Sequence, residues 1–139
     1  MLDFTTIDNA QQSLIESLDV FYDKTFMTSL NKKQSNTIRT GVIQNFEFTY
    51  ELSWKFIKRW LTANIGNTEV DGVSRRQLFR LTAESQLINS VEQWMAFHKF
   101  RNLTAHTYDE DTAQEVVNIS QTFALQNVVL IKALKSKND

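Results

Sequence analysis

Apolar residues recur at helical spacing along almost the whole chain. Ala10, Leu14, Leu18 and Phe21, with Thr25 continuing the interval, fall on one face, which is the mark of an amphipathic helix. This pattern predicts a first helix starting near Asp8, with Gln11 three residues on as its capping-box partner. The polar run Asn31-Lys32-Lys33-Gln34-Ser35-Asn36 is expected to end it. A second stripe, Ile38, Val42, Phe46, Tyr50, Trp54, Ile57, Leu61 and Ile65, predicts a helix from Thr37 to Ile65, ~43 Å long at ~1.5 Å per residue. Phe48, Leu52 and Phe56 widen its expected buried face. A helix that long and that wide needs partners on two sides, which points to a bundle and to a dimer.

The remaining punctuation is sparse. Gly66-Asn67 is a helix stop and Asp71-Gly72 a turn. Ser74 with Gln77 opens a short third helix, with Leu78, Phe79 and Leu81 inward. Ser90 with Gln93 opens a fourth, carrying Trp94, Met95, Phe97, Phe100 and Leu103. The periodicity breaks between Ala105 and Asp111. A last helix, capped by Asp111 or Thr112, carries Ala113, Val116, Val117, Ser120, Phe123, Val128, Ile131 and Leu134. Lys132, Lys135 and Lys137 lie near its C-terminus, where cations suit the helix dipole. The expected fold is all-α: an antiparallel helical bundle of four long helices plus one short helix, in a single domain over 1–139.

Composition narrows the function classes. The 139 residues fit one domain of ~150. No proline and three glycines exclude turn-rich β architectures. No cysteine excludes disulfides, iron–sulfur clusters and thiolate zinc sites. Fifteen basic against sixteen acidic residues argue against a nucleic-acid coat, though not against an enzyme that grips a few phosphates. No apolar run approaches the ~20 residues of a membrane span. The first residues carry neither a basic nor an apolar signal region, so the expected location is cytoplasmic, with no membrane partner.

Chemistry has few candidates. His98 and His106 stand eight apart with no metal-ligand spacing, so neither metal nor cofactor is expected. Asp109, Glu110 and Asp111 suit a helix N-terminus. Glu47 and Glu51 share a helix face; they read as a solvated stripe unless a cation from another helix faces them. Arg75, Arg76 and Arg80 form a small basic face that would hold phosphate or stay solvated.

The segment Arg101-Asn102-Leu103-Thr104-Ala105-His106-Thr107-Tyr108 is more informative. On a regular helix Arg101 and His106 point ~140° apart. They converge if the helix ends between them, or if two chains meet there. Asn102 and His106 share a face, so Asn102 is placed to orient the imidazole. Arginine offers a fixed cation with a fork of donors, and histidine gives or takes a proton near neutral pH. Metal-free RNA cleavage needs both: a group to move the 2′-hydroxyl proton and a cation to stabilise charge on the phosphate.

The motif extends to Arg-Asn-x3-His-x-Tyr-Asp-Glu, with Trp94 seven residues ahead of Arg101. Upstream stand Phe46-Glu47-Phe48-Thr49-Tyr50-Glu51-Leu52-Ser53-Trp54-Lys55, and between them Ser74-Arg75-Arg76 to Glu84-Ser85-Gln86-Leu87-Ile88. In that order and spacing the chain resembles the HEPN superfamily. It is most similar to the nucleotidyltransferase substrate-binding proteins, the HepT-like partners of minimal nucleotidyltransferases (MNT). The resemblance runs over residues 10 to 135.

It implies a helical-bundle homodimer whose two motifs lie near a shared cleft, acting as a toxin in a toxin–antitoxin pair. Arg101 and His106 would be the catalytic pair of a metal-independent endoribonuclease, with Asn102 and Tyr108 in support. Glu47 and Glu51 would stand behind them if their helices are neighbours. The MNT partner would silence the site by transferring AMP to Tyr108. An alternative within the same family is a non-catalytic subunit that presents RNA or a nucleotide to a two-chain nucleotidyltransferase. The chain has no Gly-Ser…Asp-x-Asp signature, so it is not itself expected to be a nucleotidyltransferase. The resemblance implies proline in many relatives at the position of Arg75, where it would only pre-organise a helix start. A third reading makes the chain a purely structural bundle with Arg101 and His106 in a buried polar network.

Overall fold

Each helix boundary in the computed structural model, which describes residues 2–138, has a local cause. Asp3 accepts from the Thr5 backbone N–H at 2.9 Å and from the Thr5 hydroxyl at 2.7 Å. Helix α1 (Thr5–Phe21) therefore starts ahead of Asp8, which lies inside its first turn rather than at its cap. It stops at Phe21, and Asp23 caps a separate single turn, α2 (Lys24–Thr28), through the Phe26 N–H. The sequence pattern merged these two. Asn31 and Gln34 complete a reciprocal capping box and open α3 (Lys32–Asn64). The polar run expected to separate two helices is thus the first turn of the second. Polar side chains cost little there, and the box satisfies two backbone donors that a helix start would leave unpaired. With 33 residues, α3 is ~50 Å long.

Gly66, at φ 112°, turns the chain out of α3 as expected and into a single turn, α4 (Asn67–Val70). Ser74 then caps α5 (Arg75–Glu84) through the Gln77 N–H. This helix closes without glycine. Gln86 takes φ 63° and the Leu87 N–H bonds back to the Thr82 carbonyl, the pattern a Schellman cap normally builds on glycine. Ser90 caps α6 (Val91–Leu103), which tightens into a 3₁₀ turn over Thr104–His106. Asp109, two residues before the expected cap, opens α7 (Glu110–Ser136). The four long helices and the short one are present. Two single turns and the 3₁₀ turn add to them, and there is no strand among the described residues.

Helices α1 and α7 pack along α3, α6 packs on α7 and α3, and α5 on α6. Phe123 of α7 is the hub of the core. Its ring meets Phe46 at 5.3 Å, Phe97 at 5.2 Å and Trp94 at 5.7 Å, all edge to face. Such pairs add ~0.5–1.5 kcal/mol beyond the area they bury. Phe48 departs from expectation. It does not widen the buried face of α3 but stands 57% exposed, at the rim of a shallow depression between α1 and α3. At the far end Ile65 is also exposed.

Three buried polar residues cross this core. The Ser53 hydroxyl donates to Asn127 Oδ1 at 2.8 Å. Asn127 Nδ2 donates to Gln11 Oε1 at 2.8 Å, and Gln11 Nε2 to the Ala124 carbonyl at 2.9 Å. The relay joins α3, α7 and α1 at one level. A slip of any helix would strand amide groups in apolar surroundings. At one pole Asn138 pairs reciprocally with the Leu2 backbone, accepting its N–H at 3.0 Å and donating to its carbonyl at 3.1 Å.

Asn127→Ala should cost ~2–4 kcal/mol, from a cavity plus an unpaired Gln11 oxygen. Ser53→Ala, which leaves both amides bonded to each other, should cost ~1 kcal/mol. Urea unfolding at neutral pH ranks the two. Equal midpoints would show that the relay does not hold the helices in register.

Candidate functional site

The site forms where α6 ends against the middle of α3. Glu47 and Glu51, one turn apart on α3, meet Arg101 and Thr104, three apart at the end of α6. Arg101 Nε donates to Glu51 Oε1 at 2.7 Å. Its Nη2 stands 3.6 Å from Glu47 Oε1. The Thr104 hydroxyl sits 2.8 Å from Glu47 Oε2 and 2.7 Å from the Arg101 carbonyl. A cation from another helix therefore does face the two glutamates, and they are no solvated stripe. The second oxygen of Glu51 accepts from the Trp54 indole N–H at 3.0 Å. Burial alone would raise Glu51, but the bonds from Arg101 and Trp54, with the charges of Arg101 and Lys55, outweigh it and hold the carboxyl below its ordinary value.

The arginine remains 29% exposed at its side chain. With Nε and Nη2 turned to carboxylates, its other guanidinium hydrogens are left for an incoming oxygen anion.

The 3₁₀ turn carries the other candidates outward. The backbone tightens after Leu103, so Asn102 and His106 leave the helical register that would have stacked them. No hydrogen bond joins these two side chains among the described residues. His106 is exposed and its ring lies edge-on to Tyr108, centroids 6.3 Å apart. Tyr108 is 87% exposed. Asp109 fixes the exit from this turn. Its carboxylate accepts the Thr112 hydroxyl at 2.7 Å and the Thr112 N–H at 3.0 Å, and both bonds lower its pKa. The fold brings Arg101, Glu47 and Glu51 together. It sets His106 and Tyr108 side by side on the following turn, and leaves Asn102 exposed with neither.

Behind the glutamates lies a second cluster: the sequence pattern puts Tyr50 in the apolar stripe of α3 and His98 at the edge of the site, four residues before Asn102. The Tyr50 hydroxyl is 3.0 Å from His98 Nδ1. Burial pushes Tyr50 well above the ordinary tyrosine range, an effect the nearby Arg75 partly offsets. Burial also lowers His98, and the Arg75 cation lowers it further. Arg75 is not part of a shared basic face. Its guanidinium lies on the Trp54 ring at 3.7 Å, whereas Arg76 pairs with Glu92 and Arg80 is exposed. The complementary spacing of Glu47/Glu51 and Arg101/Thr104 was the available signal for Thr104. Nothing in the sequence marks Arg75 as a partner of Trp54. Among the described residues, no group of three or more His, Asp or Glu is arranged to hold a metal ion. No helix is long and apolar enough to cross a membrane.

The chain matches the family model "nucleotidyltransferase substrate binding protein like" over residues 2–136. It is 30% identical over 138 residues to a protein of Haemophilus influenzae named a probable ribonuclease HepT, covering 99% of this chain and 94% of that one. It also superposes on a solved Haemophilus influenzae structure, HI0074, said to reveal the fold of a substrate-binding domain of a nucleotidyltransferase. That match has a TM-score of 0.92 and 28% identity, and covers 96% and 99% of the two chains. A Thermus thermophilus protein shares the fold at a TM-score of 0.69 and 23% identity, over 90% and 98%.

His98 is charged more readily in the unfolded chain than in the fold. Between its lowered folded value and 6.5 the unfolded state binds the extra proton, so stability rises with pH there and is lost as pH falls below 6.5. His98→Asn should flatten that part of the profile of melting temperature against pH. With two histidines in the chain, the imidazole NMR resonance that this variant removes should be one titrating below 6.5.

Proposed function

The chain belongs to the nucleotidyltransferase substrate-binding protein family, and from that premise we propose that it is the HepT-like partner of a minimal nucleotidyltransferase, carrying a latent metal-independent endoribonuclease site. The observation that carries this reading is the partly exposed, carboxylate-anchored Arg101 at the end of α6, followed in the chain by a 3₁₀ turn that leaves His106 exposed. The resemblance to a probable ribonuclease supports it.

In the proposed reaction His106 takes the proton of the ribose 2′-hydroxyl, and the 2′ oxygen attacks the adjacent phosphorus. The P–O2′ bond forms as the P–O5′ bond breaks, and the imidazolium returns the proton to the departing 5′ oxygen. The products are a 2′,3′-cyclic phosphate and a 5′-hydroxyl. Arg101 stabilises the charge that gathers on the non-bridging oxygens. Glu47 and Glu51 orient the guanidinium and hold it against α3. Thr104 keeps Glu47 turned toward it.

Tyr108 is the residue the partner would modify. Its exposure leaves the hydroxyl open to another protein. Attack of that hydroxyl on the α-phosphorus of ATP forms the tyrosyl–AMP bond and releases pyrophosphate. The added bulk and negative charge would sit beside His106 and compete with RNA for the site. The active unit is a homodimer in one helical domain. The exposed Phe48, Leu125 and Val129 are apolar surface that a second copy would cover. The specific observation behind the alternative, a non-catalytic subunit presenting a nucleotide or RNA to the transferase, is the two carboxylates that already balance Arg101.

Purified protein, unmodified at Tyr108 by intact mass, should cleave whole-cell RNA in EDTA. His106→Ala should lower the rate ~10²–10⁴-fold, and Arg101→Ala ~10²–10³-fold, with unchanged circular dichroism. Absence of cleavage by the parent protein assigns it to the substrate-presenting role. Cleavage that persists in His106→Ala would place the chemistry elsewhere.

A further inference from the structure

Beyond the reacting groups, α3 carries a strongly one-sided stretch. From Leu52 to its end at Asn64 the charged residues are Lys55, Lys58 and Arg59, with no acid among them, although the chain as a whole has a net charge of −1. These cations line a shallow groove of about 460 Å³ together with Trp54. A second depression of about 200 Å³, walled by Trp54, Lys58 and Arg75, adjoins it. Trp54 and Lys58 border both, so the two form one track. The Trp54 indole carries Arg75 at 3.7 Å and Lys55 at 5.9 Å. The track is joined to the Arg101 cluster, since the Trp54 N–H bonds to the same Glu51 that holds Arg101.

We propose that this track binds the single-stranded RNA segment flanking the scissile phosphate, with Lys58, Arg59 and Arg75 following the phosphates and the Trp54–Arg75 stack serving as the platform for a base. The assignment of RNA as substrate rests on the ribonuclease reading above. Single strands are held by this combination, a cationic groove with an aromatic surface on which any base can stack. An acidic protein surface would match the cations but has no use for a flat indole faced by a guanidinium. The track also explains how a chain without a basic excess would hold RNA: Lys55, Lys58 and Arg59 stand along one stretch of α3 with no acid among them, and Arg75 joins them from α5.

The test uses His106→Ala protein, so that RNA is not consumed, and a fluorescein-labelled unstructured RNA of about ten nucleotides, near the site size of single-strand binders. Adding Lys58→Glu and Arg59→Glu should weaken binding about tenfold or more at low salt. It should also reduce the slope of log affinity against log salt by about 1.4, at ~0.7 per phosphate contact. RNA should quench the indole fluorescence, and Trp54→Phe should abolish that quenching, because Trp60 and Trp94 are buried.

Lys24→Glu with Lys33→Glu, exposed cations away from the track, should leave affinity unchanged. Undiminished binding by the Lys58/Arg59 variant would overturn the proposal and leave the groove to an acidic protein partner. Equal weakening by the Lys24/Lys33 variant, or no RNA binding by the parent, would overturn it as well. Track-dependent binding by a protein that cleaves nothing would uphold the track and sink only the ribonuclease reading.

Discussion

The relay from Ser53 through Asn127 to Gln11 is the constraint from which the remaining geometry follows. Apolar stripes alone would let α1, α3 and α7 slide by a turn at modest cost, since one leucine replaces another. Buried amides do not tolerate the exchange, because each needs its own partner. Fixing α7 against α3 also fixes where the turn before α7 lies, and that turn carries His106 and Tyr108. The same stretch of α3 contributes Ser53 to the core and, on its other faces, Glu47, Glu51 and Trp54 to the site. The relay and the site are therefore two sides of one helix segment.

The local electrostatics follow from that placement. Arg101 reaches back to α3 at the end of α6, where two carboxylates and a threonine receive it. An arginine so anchored has little freedom left to lose when it meets an anion, but it also meets that anion partly neutralised. Such a cation favours a ligand that brings charge developing at a single point over one whose charge is spread and static. Trp54 ties the arrangement to its surroundings. Its N–H stabilises Glu51 from the ring edge, while its ring face carries the Arg75 cation.

Much of this was legible before any coordinates. Helix-spaced stripes placed the four long helices, and the Ser74 and Ser90 caps stand where their Gln partners put them. Failures share a cause. At Asn31–Asn36 the polar run suggests a break, yet a capped first turn at a surface is naturally polar. Tyr22–Asp23 interrupts a helix without glycine or proline, and its one signal is Asp23, a cap residue set inside a continuing apolar interval. Gln86 occupies a left-handed position usually given to glycine and was silent. Phe48 was read as core because one-dimensional spacing does not tell which of two adjacent faces a neighbour covers. In the site, Arg101 was found from its motif, and Glu47 and Glu51 from their spacing. Their meeting depended on how α6 crosses α3, a tertiary fact. Asn102 was expected under His106 on the assumption of an unbroken helix, and the 3₁₀ turn removes that register.

The clasp between Leu2 and Asn138 has a topological consequence. Because the Asn138 side chain already bonds the Leu2 backbone, the described path from residue 2 to residue 138 is nearly a closed ring. A short peptide joining the two ends, with a cut opened at the exposed turn around Gly72, would reorder the helices in the gene without displacing any of them in space. In such a permutation the same faces would meet although translation would deliver them in a different order.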